Sequence, residues 1–192
     1  MVKINKINPI PQRICSIDAS TNSIAFAIFN NGKLEKSGKI RFSGSRTYDK
    51  VIDAAQKALG VFKLFEIDSI VIEHTVFMNS PKTAADLALV QGAVLGAAGL
   101  NKIKIAGSIN PIAWQTFIGN GKLKAEDRKK IVDDNPDKSK SFHKKIEREL
   151  RKMRTINFVN INYDRDIDDD DVADAVAIGH YALHNWSKIT NA

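Results

Sequence analysis

Two apolar segments near the N-terminus, separated by a polar break, constrain the fold more than any other feature. Residues 14–29 first alternate between apolar and polar and then run apolar, and the break falls at residues 18–23. Such a break is typical of a tight turn or bulge between two strands. Asn31-Gly32 follows, and this dipeptide accepts the positive φ angles of a hairpin turn. The pattern predicts an antiparallel meander of three strands, the third at residues 34–42.

The rest of the chain alternates between helical and strand patterns. Helical spacing of apolar residues predicts a helix at 48–65, and the apolar run that ends in Glu73 predicts a buried parallel strand. The elements predicted after it are a helix at 83–100, a strand at 103–109, a short helix to 117, a basic helix at 141–154, a possible strand at 157–161 and a last helix at 171–186. The order predicts an α/β fold in one domain over 1–192: a mixed five-stranded sheet, three antiparallel strands then parallel strands, with helices on both faces.

The charge of the chain favours an anionic partner. The net charge is +7 and the pI about 9.4, which is typical of proteins that bind nucleic acid. Residues 122–154 hold 13 Lys/Arg against 7 Asp/Glu, whereas residues 164–174 hold seven Asp and one Arg. A basic protein that concentrates acid in one place indicates a metal centre beside a surface that holds phosphates.

Cysteine content and hydropathy predict a cytoplasmic protein without a membrane partner. The single cysteine, Cys15, excludes a disulfide framework and favours a reducing compartment. Cys15 itself is interpreted as a small buried hydrophobic residue. The sequence has no uninterrupted apolar run of 18 residues, so we expect no membrane span.

Four acids have the pattern of a divalent-metal site. Asp171 and Asp174 lie three residues apart at the start of a predicted helix and therefore share one of its faces. Asp18 and Glu73 lie at the ends of predicted strands, where α/β sheets gather their ligands. Hard carboxylate oxygens suit Mg²⁺ or Mn²⁺, and paired ions of this kind support phosphodiester hydrolysis.

Each acid also has a simpler interpretation when it is taken alone. Asp18 fits an Asx turn, Glu73 fits an ion pair with a lysine, and the two helical aspartates fit helix capping. Competing motifs fail: the acidic run at 164–175 lacks the Gly and the last Glu of an EF-hand loop, and no histidines have zinc-ligand spacing. The remaining acids of this run, 164–169, are interpreted as a solvated cluster that attracts cations.

Three segments in this order resemble one nuclease family. They are residues 14–20 with the first acid, residues 71–92 with the second, and residues 171–180 with the helical pair. Over residues 13–185 the chain resembles the RuvC family of Holliday-junction resolvases, which has the RNase H-like fold. Departures from the bacterial pattern indicate a divergent, viral-type branch, which would place the protein in the host cytoplasm.

The resemblance implies a homodimer that grips a four-way DNA junction and nicks it symmetrically. By motif, Asp18, Glu73, Asp171 and Asp174 carry the metals, expected to be two Mg²⁺ per active site with Mn²⁺ as a substitute. Phe77 falls on the aromatic that wedges into the junction centre; a core phenylalanine is the alternative.

Trp114 stands where bacterial members carry a catalytic-site lysine. We interpret it as a core residue, with base stacking as the alternative, and Lys122 or Lys124 as a substitute lysine. The segment 119–154 is longer and more basic than the bacterial pattern and resembles an insertion. The basic residues expected to contact the DNA backbone are Lys122, Lys124, Lys144, Lys145, Arg148, Arg151 and Lys152.

The sequence therefore predicts a Mg²⁺-dependent endonuclease that nicks four-way DNA junctions. Two alternatives stay open. One is a related nuclease that acts on flaps, forks or RNA, and the other is a non-catalytic nucleic-acid-binding module of the same fold.

Overall fold

The computed structural model describes residues 9–75 and 80–191. Phe77 lies outside these ranges, so its predicted role stays a prediction. The strands and helices, in chain order, are β1 Arg13–Ala19, β2 Ser23–Asn30, β3 Lys33–Arg41, α1 Thr47–Leu64, β4 Ser69–Glu73, α2 Pro81–Leu100, β5 Lys104–Ile109, α3 Pro111–Phe117, α4 Ala125–Asp133, α5 Lys140–Tyr163, α6 Asp170–His184 and α7 Trp186–Thr190.

The sheet has five strands in the order β3-β2-β1-β4-β5. β1, β2 and β3 pair antiparallel, while β4 is parallel to both β1 and β5. The turn between β2 and β3 has positive φ at Asn31 (50°) and Gly32 (78°), as the Asn-Gly dipeptide predicts. The mixed sheet expected from the sequence is therefore confirmed.

Helices cover both faces of this sheet. Alternate residues of the central strands point to opposite faces. One face packs on α1 and α2 through residues such as Ala58, Phe62 and Val94. The other packs on α6, with Trp114 of α3 and Val159 of α5 at its margins. The predicted acids belong to this second face.

Helix α6 approaches the sheet closely because small residues line the contact. The Ser16 hydroxyl donates to the Ala175 carbonyl oxygen at 2.7 Å. A Cβ added at Gly179 would lie 2.6 Å from Ser16 Oγ and closer still to a ring carbon of Phe29. Only glycine fits there without displacing its neighbours, and its close contact brings the N-terminus of α6 down onto the strand ends.

The predicted strand at 157–161 is wrong. These residues belong to α5, which runs on to Tyr163, nine residues past the predicted end at 154. Thr155 and Val159, four residues apart, are buried on one side of this helix, as helical spacing requires. The segment 119–142 also contains an unexpected helix, α4, and the last helix ends at His184, before the separate α7.

Helix α2 has a largely exposed and apolar outer surface. By length and composition alone it is the one helix of the described residues that can cross a membrane. A single helix of this kind is weak evidence for a span, because core helices of water-soluble proteins pass the same test. Val90, Val94 and Ala98 are buried against the sheet and α1, while Leu89 and Leu100 are exposed.

Candidate metal and nucleic-acid site

Strand register places three charged side chains in one row across the sheet. Asp18 of β1 is paired with Ala25 of β2, and Ala25 is paired with Lys39 of β3. On the other side, Ile17 is paired with Ile72, so Glu73 is the next residue beside Asp18. Paired positions share a face. Asp18, Lys39 and Glu73 therefore all point toward α6.

The first turn of α6 adds the remaining acids to this row. Asp169 caps the helix, and its Oδ1 accepts the backbone N–H of Asp171 at 3.0 Å and of Val172 at 3.2 Å. This cap fixes the direction in which the helix starts. Asp171 and Asp174 then follow on neighbouring positions of the face that meets the sheet.

The pKa values of these acids indicate that the four predicted residues lie together. Burial raises the pKa of Asp18 well above its usual value, and the charges of Glu73, Asp174 and Asp171 raise it further. Burial and then Glu73 raise the pKa of Asp174 to about 7, against a hydrogen bond from Thr155. Carboxylates that repel one another in this way have a strong preference for a cation between them.

Trp114 supports one of these acids from the core. Its side chain is 1% exposed, and its indole Nε1 donates to Glu73 Oε1 at 2.8 Å. This bond opposes the effect of burial, which raises the pKa of Glu73. Gln91 Nε2 donates to the Glu73 carbonyl oxygen at 3.0 Å. The core interpretation of Trp114 is confirmed, base stacking is excluded by its burial, and the bond to Glu73 is a contact that the sequence did not reveal.

Lys39 is the site residue that the sequence analysis missed. Its ammonium lies 3.0 and 3.1 Å from the two carboxylate oxygens of Asp169 and 2.6 Å from Asp171 Oδ2. The Lys39 side chain is 21% exposed. The hairpin turn alone does not identify Lys39, because the register that it starts would pair Ala25 with Gly38. A register shift between Ile28 and Phe29 moves the pairing by one residue and brings Lys39 into the row of Asp18.

The donor chemistry of the site fits a divalent cation, although its present conformation does not enclose one. Within residues 9–75 and 80–191, no three acid, histidine or cysteine side chains are grouped closely enough to hold a metal ion. The four carboxylates nonetheless supply the hard oxygen ligands that Mg²⁺ and Mn²⁺ prefer. Asp171 is turned toward Lys39, which takes up one of its oxygens.

Two cavities adjoin the acids. A cavity of about 550 Å³ lies between α5 and the start of α6 and is lined by Lys144, Arg148, Arg151, Lys152, Asp170, Asp171 and Asp174, among others. A second cavity of about 350 Å³ is lined by Asp18, Glu73, Thr75 and Gln91, among others. Arg148 and Asp171 border both cavities, so the two cavities meet at these residues beside the carboxylates.

The predicted DNA-binding residues separate into three groups. Lys144, Arg148, Arg151 and Lys152 line the larger cavity. Of these, Arg151 also donates to Gln115 Oε1 at 2.5 Å, and Lys152 pairs with Asp170. Lys145 is exposed on α5 and lies 3.8 Å from Glu149. Lys122 and Lys124 are exposed on the loop between α3 and α4, outside the residues that line either cavity.

A buried asparagine fixes the basic segment to the site. Asn120 is 3% exposed, and its Nδ2 donates to the Arg151 carbonyl oxygen at 2.7 Å and to Thr155 Oγ1 at 2.8 Å. Thr155 also lowers the pKa of the neighbouring Asp174. The loop after α3 and the basic helix α5 are therefore tied together by hydrogen bonds beside the acidic start of α6.

Solved structures of Holliday-junction resolvases share this fold. Thermus thermophilus RuvC in complex with a Holliday junction substrate matches with a TM-score of 0.67 at 13% identity, over 93% of this chain and 97% of that one. T. thermophilus RuvC alone matches with a TM-score of 0.65 at 14% identity over the same shares.

A eukaryotic resolvase matches as well. The yeast mitochondrial Holliday junction resolvase Ydc2 has a TM-score of 0.55 at 12% identity, over 98% of this chain and 86% of that one. No protein-family model matches the sequence, and neither does any curated protein sequence. The chain therefore has the RuvC-type, RNase H-like fold that the three acidic segments predicted, in a form highly divergent in sequence.

Proposed function

We propose that this protein is a metal-dependent endonuclease that nicks four-way DNA junctions symmetrically. One observation carries the proposal: β1, β4 and α6 bring Asp18, Glu73, Asp171 and Asp174 together beside a basic cavity. The shared fold supports it, because one of the matching structures is RuvC bound to a Holliday junction substrate. The proposed substrate is taken from the neighbouring structure, whereas the proposed site residues are identified in this chain.

The four carboxylates would hold two Mg²⁺ ions, with Mn²⁺ as a substitute. Bound ions of this kind activate a water and stabilise the leaving oxygen of a phosphodiester. The chain's own groups prepare the site for them. Trp114 fixes the Glu73 carboxylate by a hydrogen bond, Thr155 lowers the pKa of Asp174, and the Asp169 cap directs Asp171.

The cleaved strand would pass through the two cavities. Arg148, which borders both cavities, is positioned to neutralise the phosphate at the acids. Lys144 and Lys145 on α5 would hold the phosphates that follow it. Contacts of this type give affinity that falls steeply with salt and carry little sequence information.

The outer face of α2 is the surface that we propose for a homodimer. Leu89 is 43% exposed and Leu100 is 88% exposed. The glycines at 92, 96 and 99 have open space where a Cβ would stand, so a second helix can approach closely. Two active sites related by a two-fold axis would match the symmetry of a four-way junction.

A cleavage assay on several substrates tests the function. Purified protein is incubated with labelled four-way, three-way and duplex DNA and with an RNA duplex, with and without Mg²⁺. We expect Mg²⁺-dependent nicks at symmetric positions in opposite strands of the four-way junction. Preferred cutting of three-way DNA or RNA would support the related-nuclease alternative, and binding without cutting would support the non-catalytic one.

A further inference from the structure

Lys39 places a positive charge within the carboxylate cluster. It comes from the edge strand β3, yet its ammonium reaches under the N-terminus of α6 and pairs with Asp169 and Asp171. Its charge also opposes the effect of the neighbouring acids on the pKa of Asp18. The carboxylate cluster therefore contains its own positive charge.

The same contact takes up a carboxylate oxygen that a metal ion would use. Asp171 Oδ2 lies 2.6 Å from Lys39 Nζ, and no three acidic, His or Cys side chains of the described residues are grouped to hold an ion. An ammonium and a metal ion cannot occupy the same carboxylate oxygen. Metal binding through that oxygen therefore requires Lys39 to leave it.

We propose that Lys39 is an internal cation that occupies Asp171 in the metal-free protein, and that Mg²⁺ must displace it. Lys39 then sets the Mg²⁺ affinity of the site through this competition. Asp169 gives the displaced ammonium a place to remain, because both of its carboxylate oxygens already contact Lys39. The inference rests on the proposed metal site.

The competing interpretation is a purely structural bridge between β3 and α6. A bridge that positions Asp171 for the metal would help binding, so its loss would weaken the affinity. If Lys39 instead competes with Mg²⁺ for Asp171, its loss would strengthen Mg²⁺ binding. The sign of the change in Mg²⁺ affinity therefore distinguishes the two.

Titration calorimetry with Mg²⁺ alone, in the absence of DNA, tests that sign. Lys39→Met removes the charge and keeps most of the aliphatic stem, Lys39→Arg keeps the charge, and Lys36→Met on the exposed part of β3 is the control. We expect the Mg²⁺ Kd of Lys39→Met to fall roughly fivefold, in line with the strength of a partly exposed ion pair. Lys39→Arg and Lys36→Met should stay within about twofold of wild type. An unchanged or higher Kd for Lys39→Met, or an equal fall for Lys39→Arg, would overturn the proposal.

A measurement on the unmodified protein covers the case in which Lys39→Met does not fold. Acylation of lysine amines, read by mass spectrometry, is compared in EDTA and in saturating Mg²⁺ at equal ionic strength. We expect Lys39 to react faster in Mg²⁺, while Lys36 stays unchanged. Equal or slower labelling of Lys39 in saturating Mg²⁺ would contradict displacement.

Calorimetry tests the metal site and the role of Lys39 separately. If wild-type protein binds no Mg²⁺ in calorimetry, both the proposed metal site and the displacement of Lys39 are wrong. If it binds Mg²⁺ with the same Kd as Lys39→Met, the metal site stands and only the role of Lys39 is wrong.

Discussion

At the residue scale, the hydrogen bond from Trp114 to Glu73 joins the hydrophobic core to the carboxylate cluster. Trp114→Phe keeps an aromatic ring in the core, although a smaller one, and removes the indole donor. Because groups that orient a metal ligand typically contribute about 10–100-fold in metal affinity or activity, we expect Mg²⁺ affinity to fall by at least about 10-fold. Calorimetry measures it, with Trp186→Phe as the control for loss of a buried indole; equal affinities in the two variants would contradict this role.

Asp174 is expected to make the stability of the metal-free protein fall as the pH rises. Its pKa of about 7 lies above the ordinary value of 3.8, so the folded state binds this proton more tightly than the unfolded state. Protonation of Asp174 therefore stabilises the folded state. This stabilisation is fully present below about pH 3.8 and is lost as the pH rises through about 7. We therefore expect the free energy of unfolding in EDTA to fall between pH 5 and pH 8, measured by urea titration.

Asp174→Asn is the matched variant for this pH dependence. It removes the titrating carboxyl, so the fall with pH should be smaller than in the wild type. Burial lowers the pKa of His180 to about 4, so this residue makes stability rise with pH. Both proteins contain His180, so its contribution cancels in the comparison. Identical slopes for the two proteins would show that Asp174 does not titrate in this range.

The sequence revealed the acids but not their partners. Asp18 and Glu73 were recognisable because a charge at the end of an apolar strand is conspicuous. The roles of Lys39 and Trp114 depend on which residues stand opposite one another across the sheet and across the core. That information is tertiary, and the register shift between Ile28 and Phe29 that brings Lys39 opposite Ala25 does not follow from the Asn-Gly turn.

At the element scale, α5 supplies most of the basic surface. Lys144 lines the larger cavity and Lys145 is exposed one position further along. If both hold DNA phosphates, the double change Lys144→Ala with Lys145→Ala should weaken junction binding and reduce its dependence on salt by about two counterions. Lys33→Ala with Lys36→Ala on β3 removes the same charge and should bind as the wild type does. Equal salt slopes for all three proteins would remove α5 from the interface.

The same helix shows why a local pattern misled the sequence analysis. Residues 157–161 include Phe158, Val159 and Ile161, residue types that favour a strand, but Thr155 and Val159 are buried as a helical pair. Helix α5 continues until Asp164, where a positive φ of 50° ends it. By contrast, β1, β2 and β3 were predictable because their turn chemistry and their apolar patterns agreed.

At the scale of the whole molecule, the apolar outer face of α2 predicts a dimer in solution. Gly96→Arg adds a charge to this face at a position with open space, so it should leave folding intact and give a monomer. Ile161→Arg, on an 82% exposed position of α5, is the control and should stay dimeric. Sedimentation velocity at micromolar concentrations reads the result; a monomeric wild-type protein would contradict a dimer.

The proposed function requires one site that binds metal and cuts DNA. Its most direct test is Mg²⁺-dependent nicking of a labelled four-way junction by wild type, Asp18→Asn and the exposed control Asp166→Asn, with junction binding measured in parallel in Ca²⁺. We expect Asp18→Asn to bind the junction as the wild type does and to nick it at least about 100-fold more slowly, while Asp166→Asn nicks normally. Nicking by Asp18→Asn at the wild-type rate would contradict the assignment of the four carboxylates as the active site.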